Sequence, residues 1–189
     1  MGLGKPGIRI LGIAESWMGR EESFLAGVVM RGDLRIDGSA LTHVTVGGMD
    51  ATDAVIRLFI SLSRTDINLI LISGAAIAWY NIINPDLIRK ATNTPVMIIT
   101  YEGSGGLEEA ISHHFPGDTE RMEAYCALGE RDSIHLKTGY VVYIRRSGIP
   151  LDDATRIINT FTFDGRVPEP VRVARIFARA VMQSAQNGR

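Results

Sequence analysis

The sequence has little of what marks several large classes of protein. One cysteine, Cys126, stands in 189 residues, so an intramolecular disulfide framework is excluded. The four histidines lie at positions 43, 113, 114 and 135 and form no zinc-binding spacing with it. The chain has no charged start followed by an apolar export segment, and its apolar runs are far shorter than the roughly 20 residues of a membrane span. These absences predict a soluble protein of a reducing, cytoplasmic compartment with no membrane partner.

The chain also lacks a large net charge of either sign, because 20 basic and 21 acidic residues give a net charge of −1. Any affinity for DNA or RNA must therefore come from local clustering and not from a global field. Clustering does occur between residues 166 and 189, where five arginines accompany one acid, Glu169. Arg172, Arg175 and Arg179 are candidate phosphate contacts, although a solvated helix face explains the same pattern equally well.

The first third of the chain predicts strands. Residues 8–14 and 24–30 are apolar and rich in β-branched side chains, and residues 40–46 alternate between apolar and polar. Gly-Asp and Asp-Gly pairs at 32–33 and 37–38 supply turns between them. The pattern therefore indicates an antiparallel meander of three strands.

The remainder alternates between helices and strands. Residues 68–72 and 95–100 are near-continuous apolar runs, typical of strands covered on both faces, and a short helix at 85–90 separates them. That arrangement predicts a parallel βαβ crossover. Another strand is expected at 140–144, and further helices at 50–64, 107–114, 118–128, 150–159 and 169–183. A meander followed by parallel strands, with helices on both faces of one mixed sheet, predicts a single α/β domain over 1–189 of ribonuclease H-like architecture.

Three motifs carry a resemblance to a known family. The most specific is the run DGRVPEPVRVAR from Asp164 to Arg175, and it resembles endonuclease V, as do Ile10–Glu15 and Leu69–Gly74. The chain is more similar still to an uncharacterised, largely archaeal family, the domain of unknown function numbered ninety-nine, through residues 28–32, 48–52 and 168–170. The resemblance implies a ribonuclease H-like fold. For endonuclease V it implies action on deaminated or otherwise irregular nucleic acid, with divalent metal held by acidic side chains.

The residues at the implied metal positions do not suit a metal. Two-metal phosphodiester chemistry requires several carboxylates that converge on Mg²⁺ or Mn²⁺. In this sequence the positions that resemble metal-binding acids are occupied by Ala14, Ser73 and Arg175. A methyl group, a neutral hydroxyl and a guanidinium remove negative charge and add positive charge. We therefore expect a degenerate site without a metal cofactor, in a protein that retains nucleic-acid or regulatory binding.

A second hypothesis keeps metal-dependent nuclease activity through relocated acids. Glu15, Asp50 and Asp53 are near the lost positions in sequence and could hold Mg²⁺ or Mn²⁺. Successive residues of a strand face opposite sides, so Glu15 could replace Ala14 only at a bulge or a turned strand end. Capping of the helix that follows is the other role for Asp50.

Aromatic residues are scarce, at 7% of the chain, yet three lie near predicted strand ends. Trp17, Trp79 and Tyr80 could stack on an unpaired base, and packing in the core would explain them equally. The apolar stretch 75–80 could instead be a subunit contact, which gives a third hypothesis, a homodimeric interaction protein.

Overall fold

The computed structural model describes residues 7–17, 21–103 and 105–187, so Arg189 of the arginine-rich stretch lies outside it. A seven-stranded mixed sheet has the strand order β3-β2-β1-β4-β7-β9-β8. The strands are β1 (Arg9–Ser16), β2 (Glu22–Arg31), β3 (Ile36–Thr45), β4 (Leu69–Ser73), β7 (Val96–Thr100), β8 (Asp132–His135) and β9 (Val141–Ser147). A two-stranded ribbon consists of β5 (Ala76–Ile77) and β6 (Asn81–Ile82).

The predicted meander and crossover are both confirmed. The strands β1, β2 and β3 pair antiparallel, while β4 lies parallel to β1 and β7 parallel to β4. The register places Ile13 beside Ile72 and Ile72 beside Ile98. The carboxyl ends of the three parallel strands therefore meet at one edge of the sheet, where α/β sheets bind ligands.

Helices cover both faces of the sheet. They are α1 (Ala51–Ser61), α2 (Pro85–Thr92), α3 (Glu108–His114), α4 (Thr119–Cys126), α5 (Leu151–Phe161) and α6 (Glu169–Asn187). Alternation along β1 sends Ile10 and Ala14 into the core beneath α5 and α6, and Leu11 and Ile13 into the core beneath α1 and α2. None of the described helices is both long and apolar enough to cross a bilayer.

Two parts of the sheet differ from the sequence-based expectation. The last strand, β9, runs antiparallel to β7, and the edge strand β8 pairs antiparallel with β9. The sequence analysis did not predict β8, because only Ile134 of its four residues is buried. It also missed the ribbon, whose strands have only two residues each and are joined by a tight turn.

One glycine fixes the distance between the sheet and α6. A Cβ added at Gly12 would lie well inside van der Waals contact with the backbone of Pro170. Glycine at this position therefore lets the amino-terminal turn of α6 lie directly on β1.

Candidate functional site

The three positions that resemble metal-binding acids, 14, 73 and 175, lie on the α6 face at the carboxyl edge of the sheet. Ser73 is the last residue of β4, and its Oγ accepts a hydrogen bond of 3.0 Å from Nη2 of Arg175 on α6. Ala14 is buried in the same hydrophobic cluster as Ala174, the residue before Arg175. The structure thus places all three on one face of the sheet, and joins two of them directly.

The groups at this edge do not form a metal-binding donor set. A guanidinium cannot coordinate a cation, and its hydrogen bond to Ser73 occupies one of the hydroxyl's lone pairs. Among the residues that the structure describes, no group of three or more His, Cys, Asp and Glu side chains could hold a metal ion. The divalent metal implied by the resemblance to endonuclease V therefore does not fit these residues.

Tyr101 links two guanidinium groups at this edge. It directly follows β7, and the guanidinium carbons of Arg166 and Arg175 lie 5.8 Å and 5.9 Å from the centroid of its ring. Nη1 of Arg166 also donates a 2.8 Å hydrogen bond to the Tyr101 carbonyl oxygen. Burial raises the pKa of the Tyr101 phenol above its usual value, and Ser73 and the two arginines oppose the rise. The phenol is therefore neutral near pH 7.

Two cavities open side by side here, and Arg166 and Arg175 line both of them. The first, about 540 Å³, is bounded by Ser73, Tyr101, Arg131 and Arg145. The second, about 440 Å³, runs along α6. Two predicted phosphate contacts, Arg172 and Arg179, line the second cavity. The arginine cluster predicted from the sequence therefore continues across the edge of the sheet, with Arg145 of β9 and Arg131 of the segment before β8 added to it.

The two predicted arginines differ in how their charges are neutralised. Arg172 pairs with Asp164 and, at 3.0 Å, with Glu169. Arg179 is exposed, and no carboxylate within the described ranges forms an ion pair with it. Arg179 is therefore the freer of the two to meet a phosphate.

The three acids of the enzyme hypothesis, Glu15, Asp50 and Asp53, do not gather on the Ser73 face of the sheet. Glu15 points to the face opposite Ala14, where its Oε2 accepts a 2.6 Å hydrogen bond from Ser23 Oγ and its Oε1 accepts one of 3.0 Å from the Ala78 amide. Asp53 is exposed in the first turn of α1. The three acids do not converge beside Ser73, because β1 continues its alternation through Glu15 without a bulge.

Asp50 is the N-cap residue of α1, as the capping alternative expects, but it does not cap the helix through its side chain. Its carboxylate accepts instead from Asn81 Nδ2 at 2.7 Å and from the Thr45 amide and hydroxyl at 3.2 Å and 3.0 Å. Burial favours a higher pKa for Asp50, but these hydrogen bonds outweigh it and hold the pKa below its usual value. The amide of Ala51 is satisfied by Asn81 Oδ1, so the fold needs no cap from Asp50.

The structure brings the three candidate stacking residues together. The ring centroids of Trp17 and Trp79 are 5.5 Å apart, and those of Trp79 and Tyr80 are 6.2 Å apart. His114 joins them, at 5.0 Å from Trp79 and 5.5 Å from Tyr80. Trp79 keeps 41% of its surface exposed, so the cluster is partly packing and partly open platform.

An unusual turn presents Trp79. Ala78, Trp79 and Tyr80 have φ values of 42°, 63° and 58°, so three consecutive residues other than glycine adopt the left-handed conformation. Each such residue costs about 1–2 kcal/mol, and a strained conformation persists only where its surroundings impose it. Here the Gly47 amide donates to the Ala78 carbonyl at 2.7 Å, and buried Arg121 donates to the Tyr80 carbonyl at 2.6 Å. The platform is therefore held rigidly.

Sequence reasoning missed Arg121, Tyr101, Arg131 and Arg145. For Tyr101 a signal existed, because it follows directly on a predicted parallel strand, at the edge where Ser73 also lies. For Arg121 nothing in the local pattern distinguishes it from a surface residue of an amphipathic helix.

Comparisons with known proteins agree on the family and the fold. The family model described as endonuclease dU matches residues 6–182. A relative from Pyrobaculum calidifontis is 35% identical over 92% of this chain and 96% of its own length, and one from Methanosarcina acetivorans is 29% identical over 98% and 96%. Both are known only as UPF0215 protein.

Solved structures show the same architecture. A protein of unknown function from Archaeoglobus fulgidus has a TM-score of 0.78 at 24% identity, covering 92% of this chain and 98% of its own. Endonuclease V of Ciona intestinalis, in complex with DNA containing an inosine, has a TM-score of 0.64 at 14% identity, covering 95% and 87%. Argonaute of Marinitoga piezophila, in complex with guide RNA and target DNA, has a TM-score of 0.58 at 11% identity, covering 93% of this chain and 30% of its own. The ribonuclease H-like fold is thereby confirmed, and the chain belongs to the endonuclease dU family, whose members resemble endonuclease V.

Proposed function

We propose that this protein binds nucleic acid across the arginine-lined edge of its sheet and does not cleave it by a metal-dependent reaction. The observation that carries the proposal is the hydrogen bond between Arg175 and Ser73, at positions that resemble metal-binding acids. A fixed positive charge there repels a divalent cation and attracts a phosphate. The DNA and RNA complexes of structurally similar proteins support nucleic acid as the partner.

The proposed surface combines two kinds of contact. Arg175, Arg179 and, to a smaller extent, Arg172 supply positive charge to the phosphate backbone. Trp79, with Trp17 and Tyr80 behind it, supplies an aromatic face on which an unpaired base can stack. Both lie at the carboxyl edge of the parallel strands, and this combination is typical of proteins that bind single strands or irregular duplexes.

The enzyme alternative rests on Glu15, Asp50 and Asp53, and their contacts speak against it. Glu15 and Asp50 are engaged by protein donors, and Asp53 is exposed on α1. The homodimer alternative rested on residues 75–80. Ala75, Ile77 and Ala78 are buried within their own chain, so that stretch offers a partner little apolar surface beyond Trp79.

Binding and cleavage measured on the same samples test the proposal. Fluorescence anisotropy with labelled single-stranded and duplex oligonucleotides, carrying inosine, deoxyuridine or neither, should show binding that weakens steeply as salt rises. Gels of the same mixtures with Mn²⁺ should show intact strands. Absence of binding to every oligonucleotide contradicts the proposal. Cleavage in Mn²⁺ that disappears in an Asp50→Ala variant contradicts it too, and establishes the enzyme alternative.

A further inference from the structure

The larger cavity has a strongly one-sided charge. Four arginines line it, Arg131, Arg145, Arg166 and Arg175, and the acid in its lining is Glu102. The Glu102 side chain is 85% exposed and lies 3.9 Å from Arg166, at the outer limit of an ion pair. Water screens a pair of this kind and leaves little net attraction. Within the described ranges no other carboxylate forms an ion pair with Arg145, Arg166 or Arg175, so these three charges are largely without an anionic partner.

Arg175 has neutral partners in this cavity. Its partners are the neutral Ser73 hydroxyl and the Tyr101 ring, and within the described part of the chain no carboxylate forms an ion pair with it. Half-buried guanidinium groups ordinarily have an anionic partner, as Arg172 has in Asp164 and Glu169 on the same helix. An anion from outside the chain would complete the site.

Tyr101 sets the position of the two nearest guanidinium groups. Arg166 and Arg175 both lie within 6 Å of its ring centroid, and its carbonyl oxygen holds Arg166. The Tyr101 hydroxyl is buried and has no hydrogen-bond partner among residues 7–17, 21–103 and 105–187. The structure thus holds two cations beside one ring whose hydroxyl is buried.

We infer that this cavity binds a phosphate group directly between Arg175 and Arg166, with no metal ion between protein and phosphate. The inference rests on the proposed function and names the chemical group that the substituted metal site recognises. Guanidinium groups suit it because their planar donors bind two phosphate oxygens at once. The phosphate is either an internal diester of a strand or a terminal monoester, and the two are distinguishable by experiment. Ser73 donates its hydroxyl hydrogen to the same group, since its lone pair already accepts from Arg175.

Calorimetric titration with inorganic phosphate, and anisotropy with oligonucleotides bearing a 5′-phosphate or a 5′-hydroxyl, test the inference. All titrations are run in EDTA and repeated with Mg²⁺. Wild-type protein should bind phosphate equally well in both, and Arg175→Met should lower the affinity at least tenfold. Arg175→Lys keeps the charge but loses the planar guanidinium donors, so its affinity for phosphate should lie between those of wild-type protein and Arg175→Met. Arg156→Met is the matched control, because Arg156 is an exposed arginine of α5 that pairs with Asp153 and lines neither cavity, and it should leave phosphate binding within about twofold.

A second pair of variants tests the positioning role of Tyr101. Tyr101→Phe keeps the ring beside both arginines and should retain most of the affinity for phosphate. Tyr101→Leu removes the ring and should weaken phosphate binding to nearly the level of Arg175→Met. Equal affinity of the two variants contradicts the positioning role. Thermal unfolding of each variant separates loss of the site from loss of the fold.

The outcomes separate the two proposals. Oligonucleotide binding by the wild-type protein, with phosphate affinity that Arg175→Met leaves unchanged, overturns the phosphate site and leaves the proposed function standing. Phosphate binding that depends on Arg175, without binding of any oligonucleotide, overturns the proposed function alone. Phosphate binding that requires Mg²⁺ overturns the inference. A preference for the 5′-phosphorylated strand identifies the ligand as a terminal monoester, and equal affinities identify an internal diester.

Discussion

At the carboxyl edge of the parallel strands, the two faces of the sheet differ in the partners that their charged side chains have within the protein. On the α6 face the partners of the Arg175 guanidinium among the described residues are a hydroxyl and an aromatic ring. On the α1 face the charges of Glu15, Asp50 and Arg121 are matched by the protein's own amides, hydroxyls and carbonyl oxygens. The comparison teaches that an acid close in sequence to Ala14 need not face the same side of the sheet. Glu15 binds the amide of a strained turn on the α1 face, whereas Arg175 on the α6 face forms no ion pair with a carboxylate of the described residues.

The largest loss of stability should come from replacing Arg121, which is buried on the α1 face. Arg121 is 4% exposed and donates to the carbonyl oxygens of Gly47, Gly48 and Tyr80 as well as to Asp118. Arg121→Met leaves those acceptors unpaired in the interior and should lower the free energy of unfolding by about 3–5 kcal/mol. Urea denaturation measures it.

The matched control for this prediction is Arg156→Met. The Arg156 side chain is 55% exposed and pairs with Asp153 three residues away, so the change should be within about 0.5 kcal/mol. Similar losses in the two variants would mean that the α1 face is not internally satisfied as described.

On the α6 face, the largest change in stability should come from pushing α6 away from strand β1. Gly12→Ala places a methyl group against the backbone of Pro170 and should destabilise the protein by about 1–3 kcal/mol. It should also weaken oligonucleotide binding, because α6 carries Arg175. Gly7→Ala is the control, since nothing lies within 4 Å of the added Cβ. Unchanged denaturation midpoints in both variants would show that α6 does not depend on this contact.

A smaller effect is expected at Trp79, whose ring could stack on a base of a strand that the arginines of the α6 face also bind. Trp79→Ala should lower the affinity for single-stranded oligonucleotide about tenfold, because a stacked base contributes about 1–3 kcal/mol. Trp79→Phe keeps an aromatic face and should retain most of the affinity. Anisotropy titrations distinguish the variants. If Trp79→Ala binds the oligonucleotide as tightly as the wild-type protein, the aromatic cluster serves packing and does not stack on a base.

The smallest effect is a dependence of stability on pH. The pKa of Asp50 in the folded protein is held below its ordinary value of 3.8, so ionised Asp50 stabilises the fold above that pH. The stabilisation is lost as pH falls through the folded pKa. The stability of wild-type protein relative to Asp50→Asn should therefore decrease on acidification below about pH 4. Parallel stability curves from pH 7 to pH 3, measured by denaturation, would contradict this assignment.

The sequence predicted those elements whose pattern is local and strong. Apolar runs located β1, β4 and β7, and helical spacing located α1, α5 and α6, each within a few residues of the observed bounds. The direction of β9 has no local signal, since an alternating strand looks the same whether its neighbour is parallel or antiparallel. The left-handed turn at residues 78–80 contains no glycine or asparagine in those positions, so ordinary turn chemistry could not predict it.

The candidate site was predictable only in part. Resemblance to a family identified Ala14, Ser73 and Arg175, and the structure places them on one face. The cavity beside Ser73 and Arg175 is also lined by Tyr101, Arg131 and Arg145, which come from three different segments. Only the tertiary fold brings those segments together, so no spacing rule along the chain could have found them.

The most direct test of the central claim is a calorimetric titration of the wild-type protein with Mn²⁺ at neutral pH. If the former metal site is now a cationic site for phosphate, the titration should show no stoichiometric binding. Tight binding of one or two ions per chain would contradict the account.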